Sequence, residues 1–167
     1  LDKTGDEFEK GKIFLPQLIL SAQAAQAAFD TIKKSMKSTQ ESSVSKGSIV
    51  IATVKGDIHD IGKNIVKVLL ENYGYHVVDL GKDVEFQAVV DAVKQYDAKL
   101  VGLSALMTTT LVSMDRTIQL IRENHLDCKI MVGGAVLTPE YAAQIGADFY
   151  VKDAKESIDV AKRILGA

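Results

Sequence analysis

From residue 48 onward the sequence alternates short apolar runs with stretches of helical spacing, five times over. The apolar runs fall at 48–54, 75–80, 99–104, 128–133 and 148–152. The helical stretches lie near 61–73, 85–97, 112–125, 138–146 and 153–165. Several runs are continuously apolar rather than alternating, which suits strands covered on both faces. Five strand–helix units in roughly 120 residues predict an open, doubly wound α/β fold of the flavodoxin-like (Rossmann-like) kind, because closing a barrel takes eight. The expected order of the five parallel strands is 2-1-3-4-5, with a ligand crevice at the carboxyl ends of strands one and three.

Residues 1–36 read differently. After Pro16, which suits a first helical turn, apolar groups recur at Leu18, Ala22, Ala25, Phe29, Ile32 and Met36 in alternating steps of four and three. Residues 37–47, KSTQESSVSKG, are polar and serine-rich and read as a linker. The expected units are therefore a helical segment at 1–36, a linker at 37–47 and the α/β domain at 48–167. Apolar residues make up 47% of the chain and charged residues 25%, with a net charge of −2, the balance of an ordinary globular protein. No basic stripe points to nucleic acid. No apolar run approaches the ~20 residues of a membrane span. The single cysteine, Cys128, leaves no internal disulfide and no cysteine-based metal cluster, and its apolar neighbours predict a small buried hydrophobe. No stretch reads as a signal peptide, so the cytoplasm is the expected location.

In this fold the residues just after each strand line the crevice. The first strand delivers GDIHDIG, Gly56 to Gly62; the third delivers SALMTTT, Ser104 to Thr110; the fourth delivers GGAVLT, Gly133 to Thr138. A tight turn needs glycine but not a histidine between two acids. Asp57, two residues from His59, can fix one ring nitrogen and raise the basicity of the other, the arrangement found behind metal-bound imidazoles. The pair equally fits a catalytic dyad, although no well-placed nucleophile stands beside it. The other two histidines, His76 within a strand and His125 at a helix end, read as structural. Phosphate binding competes for the glycines, but GDIHDIG is neither a Walker loop nor G-x-G-x-x-G. A response-regulator receiver shares the architecture and its lysine has a counterpart near Lys152, yet the acidic cluster is missing.

These residues resemble the cobalamin-binding domain family. Its pattern is D-x-H-x-x-G, then about forty residues to S-x-L, then an interval under thirty to G-G. Here Asp57 to Gly62 is followed by 41 intervening residues to Ser104-Ala105-Leu106, and another 26 lead to Gly133-Gly134. Upstream, DEFEKGKIFLPQLILSA is similar to the last part of the helical-bundle cap of cobalamin-dependent methionine synthase and of free-standing methyl-carrying corrinoid proteins. IATVKGDIHDIGKNIV is especially close to methionine synthase.

The resemblance implies cobalamin, carried as methylcobalamin, with its cobalt. His59 resembles the lower axial cobalt ligand, which replaces the cofactor's own base. Asp57 resembles its hydrogen-bond partner, and Thr110 stands where a serine completes the relay. Cofactor contacts are implied for Gly56, Asp57, Ile58, His59, Asp60, Ile61 and Gly62, for Ser104, Leu106, Met107 and Thr108, and for Gly133 and Gly134. Phe8, Leu15 and Leu18 match cap residues over the upper face. Residues 1–36 supply one helix and the end of another, so an incomplete lid, cut within the cap, is expected. The implied function is a methyl carrier. It moves a methyl group between donor and acceptor domains or subunits, with methyltetrahydrofolate and homocysteine the expected pair, and with a reductive-activation partner. The alternatives are a free-standing corrinoid protein for methylamine- or methanol-type substrates and the cobalamin subunit of a radical mutase. A cobalamin-based sensor would need an effector domain. No folate, homocysteine or zinc site is present, so the module is a methyltransferase component and not a complete catalyst.

Overall fold

The computed structural model describes residues 4, 7, 8, 10–14, 16–21, 23, 24, 27, 28 and 45–166. Its centre is a parallel sheet of five strands: β1 (Ser48–Thr53), β2 (His76–Asp79), β3 (Leu100–Ser104), β4 (Lys129–Gly133) and β5 (Phe149–Val151). The order is β2-β1-β3-β4-β5, as expected for a flavodoxin-like sheet. Ile51 pairs with Gly102 and Gly102 with Met131, so one row crosses three central strands.

Alternate residues of each strand enter different cores. Ile49, Ile51, Leu100 and Met131 pack beneath α1 (Ile61–Asn72) and α5 (Ala154–Leu165), with Leu70 and Ile158 completing that layer. Val50, Val101, Ile130 and Val132 pack beneath α2 (Phe86–Tyr96) and α3 (Leu111–Glu123), against Val90, Met114 and Ile118. Burial on both faces explains why the strands read as unbroken apolar runs. Cys128 is buried in the second core, as expected.

Element ends follow side-chain chemistry. Thr138 accepts the Tyr141 N–H ahead of α4 (Pro139–Gln144), with Pro139 in its first turn. Asp153 accepts the Glu156 N–H ahead of α5. β5 stops at Val151 rather than 152 because the Lys152 N–H is taken by Glu156 Oε2 at 2.8 Å. β1 stops one residue before 54: Val54 still donates its N–H to Ser104 O at 3.0 Å but pairs with Val84 as an isolated bridge. A 3-10 turn at Thr108–Thr110, unforeseen in the sequence, precedes α3. His125 follows α3 with φ +53°, closing the helix in the left-handed region.

Residues 16–21 are helical, as are 23, 24, 27 and 28. Leu18 is buried. Leu15, Ala22, Ala25, Phe29, Ile32 and Met36 lie outside the described residues, as does the linker before residue 45. Among the described residues no helix is long and apolar enough to cross a membrane.

Candidate functional site

The site grows from the end of β1. The chain turns at Gly56, whose φ of +84° favours glycine, and the Asp57 N–H closes the turn on the Val54 carbonyl at 3.0 Å. This returns Asp57 to the interior, where it is fully buried. Its Oδ1 accepts both the backbone N–H of His59 at 3.0 Å and ring Nδ1 at 2.8 Å. Its Oδ2 accepts the Leu106 N–H at 2.7 Å, the Met107 N–H at 3.3 Å and the Thr110 hydroxyl at 2.8 Å. The Thr110 oxygen also lies 2.9 Å from the Met107 carbonyl. A hydroxyl has one proton, and the carboxylate is the stronger acceptor. Met107 O already receives the Thr110 N–H at 3.1 Å, so we assign the hydroxyl proton to Asp57.

Burial by itself raises the pKa of Asp57. The donors from His59, Leu106 and Thr110 outweigh it and hold the carboxyl well below the usual carboxylate range. A charged carboxylate only accepts, so the proton on Nδ1 belongs to the ring. Nε2 is left with a lone pair, on a side chain that is 45% exposed. The sequence spacing thus places a carboxylate on Nδ1 and leaves Nε2 unoccupied, the arrangement also found behind metal-bound imidazoles. Among the described residues no nucleophile hydrogen-bonds the His59 ring, whose partner is Asp57, so the dyad reading gains no support there.

Beside His59 opens a cavity of about 860 Å3. It runs between the sheet and helices α1 and α5. Its floor is the row Ile51–Gly102–Met131, and Leu69, Tyr73 and Ile158 form its walls. Ser104, Gly133 and Gly134 border it at the strand ends. A Cβ on Gly134 would sit 1.8 Å from the Ala105 carbonyl oxygen, and one on Gly133 would sit 3.1 Å from Val151. Gly134 is therefore what lets the loops after β3 and β4 touch, and Gly133 gives β4 room beside Val151 of β5. A Cβ on Gly62 would meet nothing within 4 Å, so that glycine keeps open space rather than a backbone contact.

Of the residues singled out in the sequence, Ile58, His59, Asp60, Ile61, Gly62, Ser104, Leu106, Gly133 and Gly134 line this cavity, and Phe8 and Leu18 reach it from the N-terminal segment. Asp57 and Thr110 stand behind His59 rather than in the cavity. Gly56 shapes the turn, Met107 serves through its N–H, and Thr108 is exposed. Leu15 lies outside the described residues. Sequence reading missed Gly102, Met131 and Lys63. A glycine inside an apolar strand was the available signal for the first. Lys63 is buried and its ammonium meets Asp79 Oδ1 at 2.6 Å, a pairing that no local pattern announces.

Comparison with known proteins follows the geometry. A family model described as B12 binding domain matches residues 47–161, and a second model of the same description matches residues 1–33. The chain is 41% identical over 167 residues to dimethylamine corrinoid protein 3 of Methanosarcina mazei, covering 99% of each. Among solved structures, a cobalamin-binding protein from Desulfitobacterium hafniense DCB-2 is 35% identical with a TM-score of 0.84, over 98% of this chain and 77% of that one. The methanol:cobalamin methyltransferase complex MtaBC from Methanosarcina barkeri gives 31% identity and a TM-score of 0.85, over 98% of this chain and 62% of that one. With a model matched over most of its length and a relative matched from end to end, this chain belongs to the B12-binding domain family, whose cofactor, cobalamin, carries cobalt.

Proposed function

We propose that the protein is a corrinoid methyl carrier that serves a methyltransferase subunit acting on a methylamine- or methanol-type substrate. The observation that carries it is the exposed Nε2 of His59, fixed by a buried carboxylate beside a deep apolar cavity. The residues fit the cofactor. Among the described residues no three His, Cys, Asp or Glu side chains gather to hold a metal ion, so a metal here brings its other ligands with it, as a macrocycle does. Exposed Ile58, Ile61 and Leu106 beside His59 make an apolar bed for such a ring. The mostly apolar cavity would have room for the flat apolar base that the cofactor's tail carries.

Bound cobalamin supplies a cobalt that accepts and releases a methyl group. The protein's own part is control of the ligand. His59 would offer Nε2 to the metal. Off the metal, Nε2 could hold a proton, and the Asp57 carboxylate on Nδ1 would stabilise the imidazolium so formed. The Leu106, Met107 and Thr110 donors keep that carboxylate charged. Phe8 and Leu18 would keep water from the opposite side of the cavity. The expectation of methyltetrahydrofolate and homocysteine gives way to the alternative, because the relatives are named for dimethylamine and methanol chemistry.

Two measurements test the reading. The purified protein with methylcobalamin should show a histidine-ligated spectrum at neutral pH, and His59→Ala should lose it while keeping the cofactor. A spectrum unchanged in that variant removes His59 from the metal. Methyl loading should then be assayed with methylamine, dimethylamine, trimethylamine and methanol methyltransferase subunits, and with a methyltetrahydrofolate donor. Loading from the folate donor alone would restore the methionine synthase reading.

A further inference from the structure

The loop that carries His59 is gripped by the loop that follows β2. Asp83 Oδ1 accepts the Gly56 N–H at 2.8 Å. The Asp83 N–H in turn donates to the Asp57 carbonyl at 2.9 Å. One residue therefore holds the backbone on both sides of the Gly56–Asp57 peptide. Asp83 itself sits at φ +53°, a conformation uncommon for a residue other than glycine, asparagine or aspartate. Neighbouring contacts lock it there. Val84 bridges Val54, the Val84 N–H donates to Thr53 O, and Gly81 O accepts the Thr53 N–H. Lys55 lies 3.1 Å from Asp83 and 2.8 Å from Glu85, at the surface. The far end of the same loop is tied to the same side of the sheet, by Lys63 to Asp79. Between these anchors Ile58 is 63% exposed, and the loop is held on its inner side by the Asp57 carboxylate and by the Thr53 hydroxyl on the His59 carbonyl at 3.4 Å.

We infer that Asp83 is a positioning residue for His59: its carboxylate, by holding the Gly56 N–H, fixes the turn from which Asp57 aims the imidazole at the metal. The inference rests on His59 being the cobalt ligand. It places part of the ligand's control on a loop that meets neither the cofactor cavity nor the Asp57 carboxylate. The exposed Lys55 pair is a minor contributor, since surface ion pairs are weak. The backbone hydrogen bond is the part that acts.

Three variants separate the possibilities. Asp83→Gly keeps the backbone N–H and tolerates the positive φ, but removes the acceptor together with the Lys55 ion pair. Asp83→Asn keeps an acceptor oxygen and also tolerates that φ, but loses the charge. Lys55→Ala removes the surface pair alone. Each is loaded with methylcobalamin at neutral pH, and the ratio of histidine-ligated to ligand-free spectrum is read. Hydrogen exchange of the Gly56 and Asp57 amides is read in the cofactor-free protein. Asp83→Gly should melt within about 3 °C of the parent, while the ligation equilibrium falls about tenfold or more, as for partners of metal-bound histidines generally. Its Gly56 amide should exchange about tenfold faster or more. Asp83→Asn and Lys55→Ala should stay within about threefold of the parent on both readouts. A parent-like spectrum and parent-like Gly56 protection in Asp83→Gly would overturn the inference. So would an Asp83→Asn variant as impaired as Asp83→Gly, which would make the charge rather than the hydrogen bond responsible. Loss of the underlying reading looks different: the parent itself would then show no histidine-ligated spectrum that His59→Ala abolishes.

Discussion

Thr110 and Asp57 are 53 residues apart in the sequence, yet the Thr110 hydroxyl donates to Asp57 Oδ2 across 2.8 Å. The threonine methyl lies toward Gly56, where a Cβ would come within 3.5 Å of it. Thr110→Val therefore fills the same space and removes only the donor. The Asp57 carboxylate becomes less stabilised, so the Asp57–His59 pair takes up a proton more readily. Histidine ligation should then be lost at a higher pH, by up to about 1–2 units, the worth of one hydrogen bond to a charged group. Thr110→Ser should stay close to the parent. Asp57→Asn should move the transition the other way, because a neutral amide stabilises an imidazolium less. A pH titration of the bound-cofactor spectrum reads all three. A Thr110→Val midpoint equal to the parent's would show that the hydroxyl does not act on the ligand.

The glycines of the site should separate into two kinds. Gly134 has φ +146° and its missing Cβ would collide with the Ala105 carbonyl, so Gly134→Ala must move backbone. Such overpacking costs about 1–3 kcal/mol, and a glycine-only backbone conformation adds about as much again. Chemical denaturation of the cofactor-free protein should show that loss. Gly62 lies in the first turn of α1 with open space where its Cβ would go. Gly62→Ala should leave the fold as stable or more stable, by about 0.5–1 kcal/mol from helix propensity. Because Gly62 lines the cavity, the same methyl should weaken cobalamin binding. Equal cofactor affinity in Gly62→Ala would mean that the cofactor does not approach α1 there.

Acid should unfold the protein through three carboxylates. Asp57, Asp79 and Asp148 are each pushed up by burial and pulled further down by their donors, so all sit below the ordinary carboxylate value. For Asp148 those donors are Lys129, the Ile130 N–H and Arg122, at 2.9, 2.8 and 2.6 Å. The folded state therefore binds fewer protons than the unfolded one as pH falls. The stabilisation is fully present above the unfolded carboxylate range of about 4 and is lost as pH drops through it toward the folded values. Thermal melting of the cofactor-free protein should show a falling acid limb below that pH. Asp148→Asn should melt lower than the parent at neutral pH, and the gap should close as the solution is acidified. A gap that stays constant with pH would remove Asp148 from the acid limb.

The strands and the place of His59 were legible because both are local, and the order of the sheet followed from the fold class those strands imply. Apolar runs such as SIVIAT announce doubly covered strands, and D-x-H on a glycine turn is short enough for one carboxylate oxygen to meet both the backbone and the ring of His59. Strand ends missed by one residue where a side chain outcompeted the ladder, as Glu156 does for the Lys152 N–H. Thr110 became visible only through the family resemblance, since its partner lies on another strand's loop. Asp83 and the Lys63–Asp79 pair were invisible for the same reason. Polar residues at a helix start and in a loop look like solvated surface until the fold brings them together.

That buried pair gives an asymmetric prediction. The Lys63 side chain is 3% exposed, and its ammonium has two partners, Asp79 Oδ1 at 2.6 Å and Asn64 Oδ1 at 2.8 Å. Asp79 is better supplied: it also accepts Lys67 at 3.3 Å and the Gly81 N–H at 2.9 Å. Asp79→Ala strands a buried ammonium with one neutral acceptor, and removing one partner of a buried pair typically costs about 3–5 kcal/mol. Lys63→Met leaves Asp79 with two donors and replaces the ammonium with an apolar chain of similar length. Because Asp79 is partly exposed and keeps those donors, Lys63→Met should cost less than Asp79→Ala, about 1–3 kcal/mol. The double variant Asp79→Leu with Lys63→Met should recover most of the loss seen in Asp79→Ala, because no charge is left buried. Denaturant unfolding of the parent and the variants decides the point. Equal losses in Asp79→Ala and Lys63→Met would show that the pair acts as a symmetric bond, and that the extra donors to Asp79 contribute nothing.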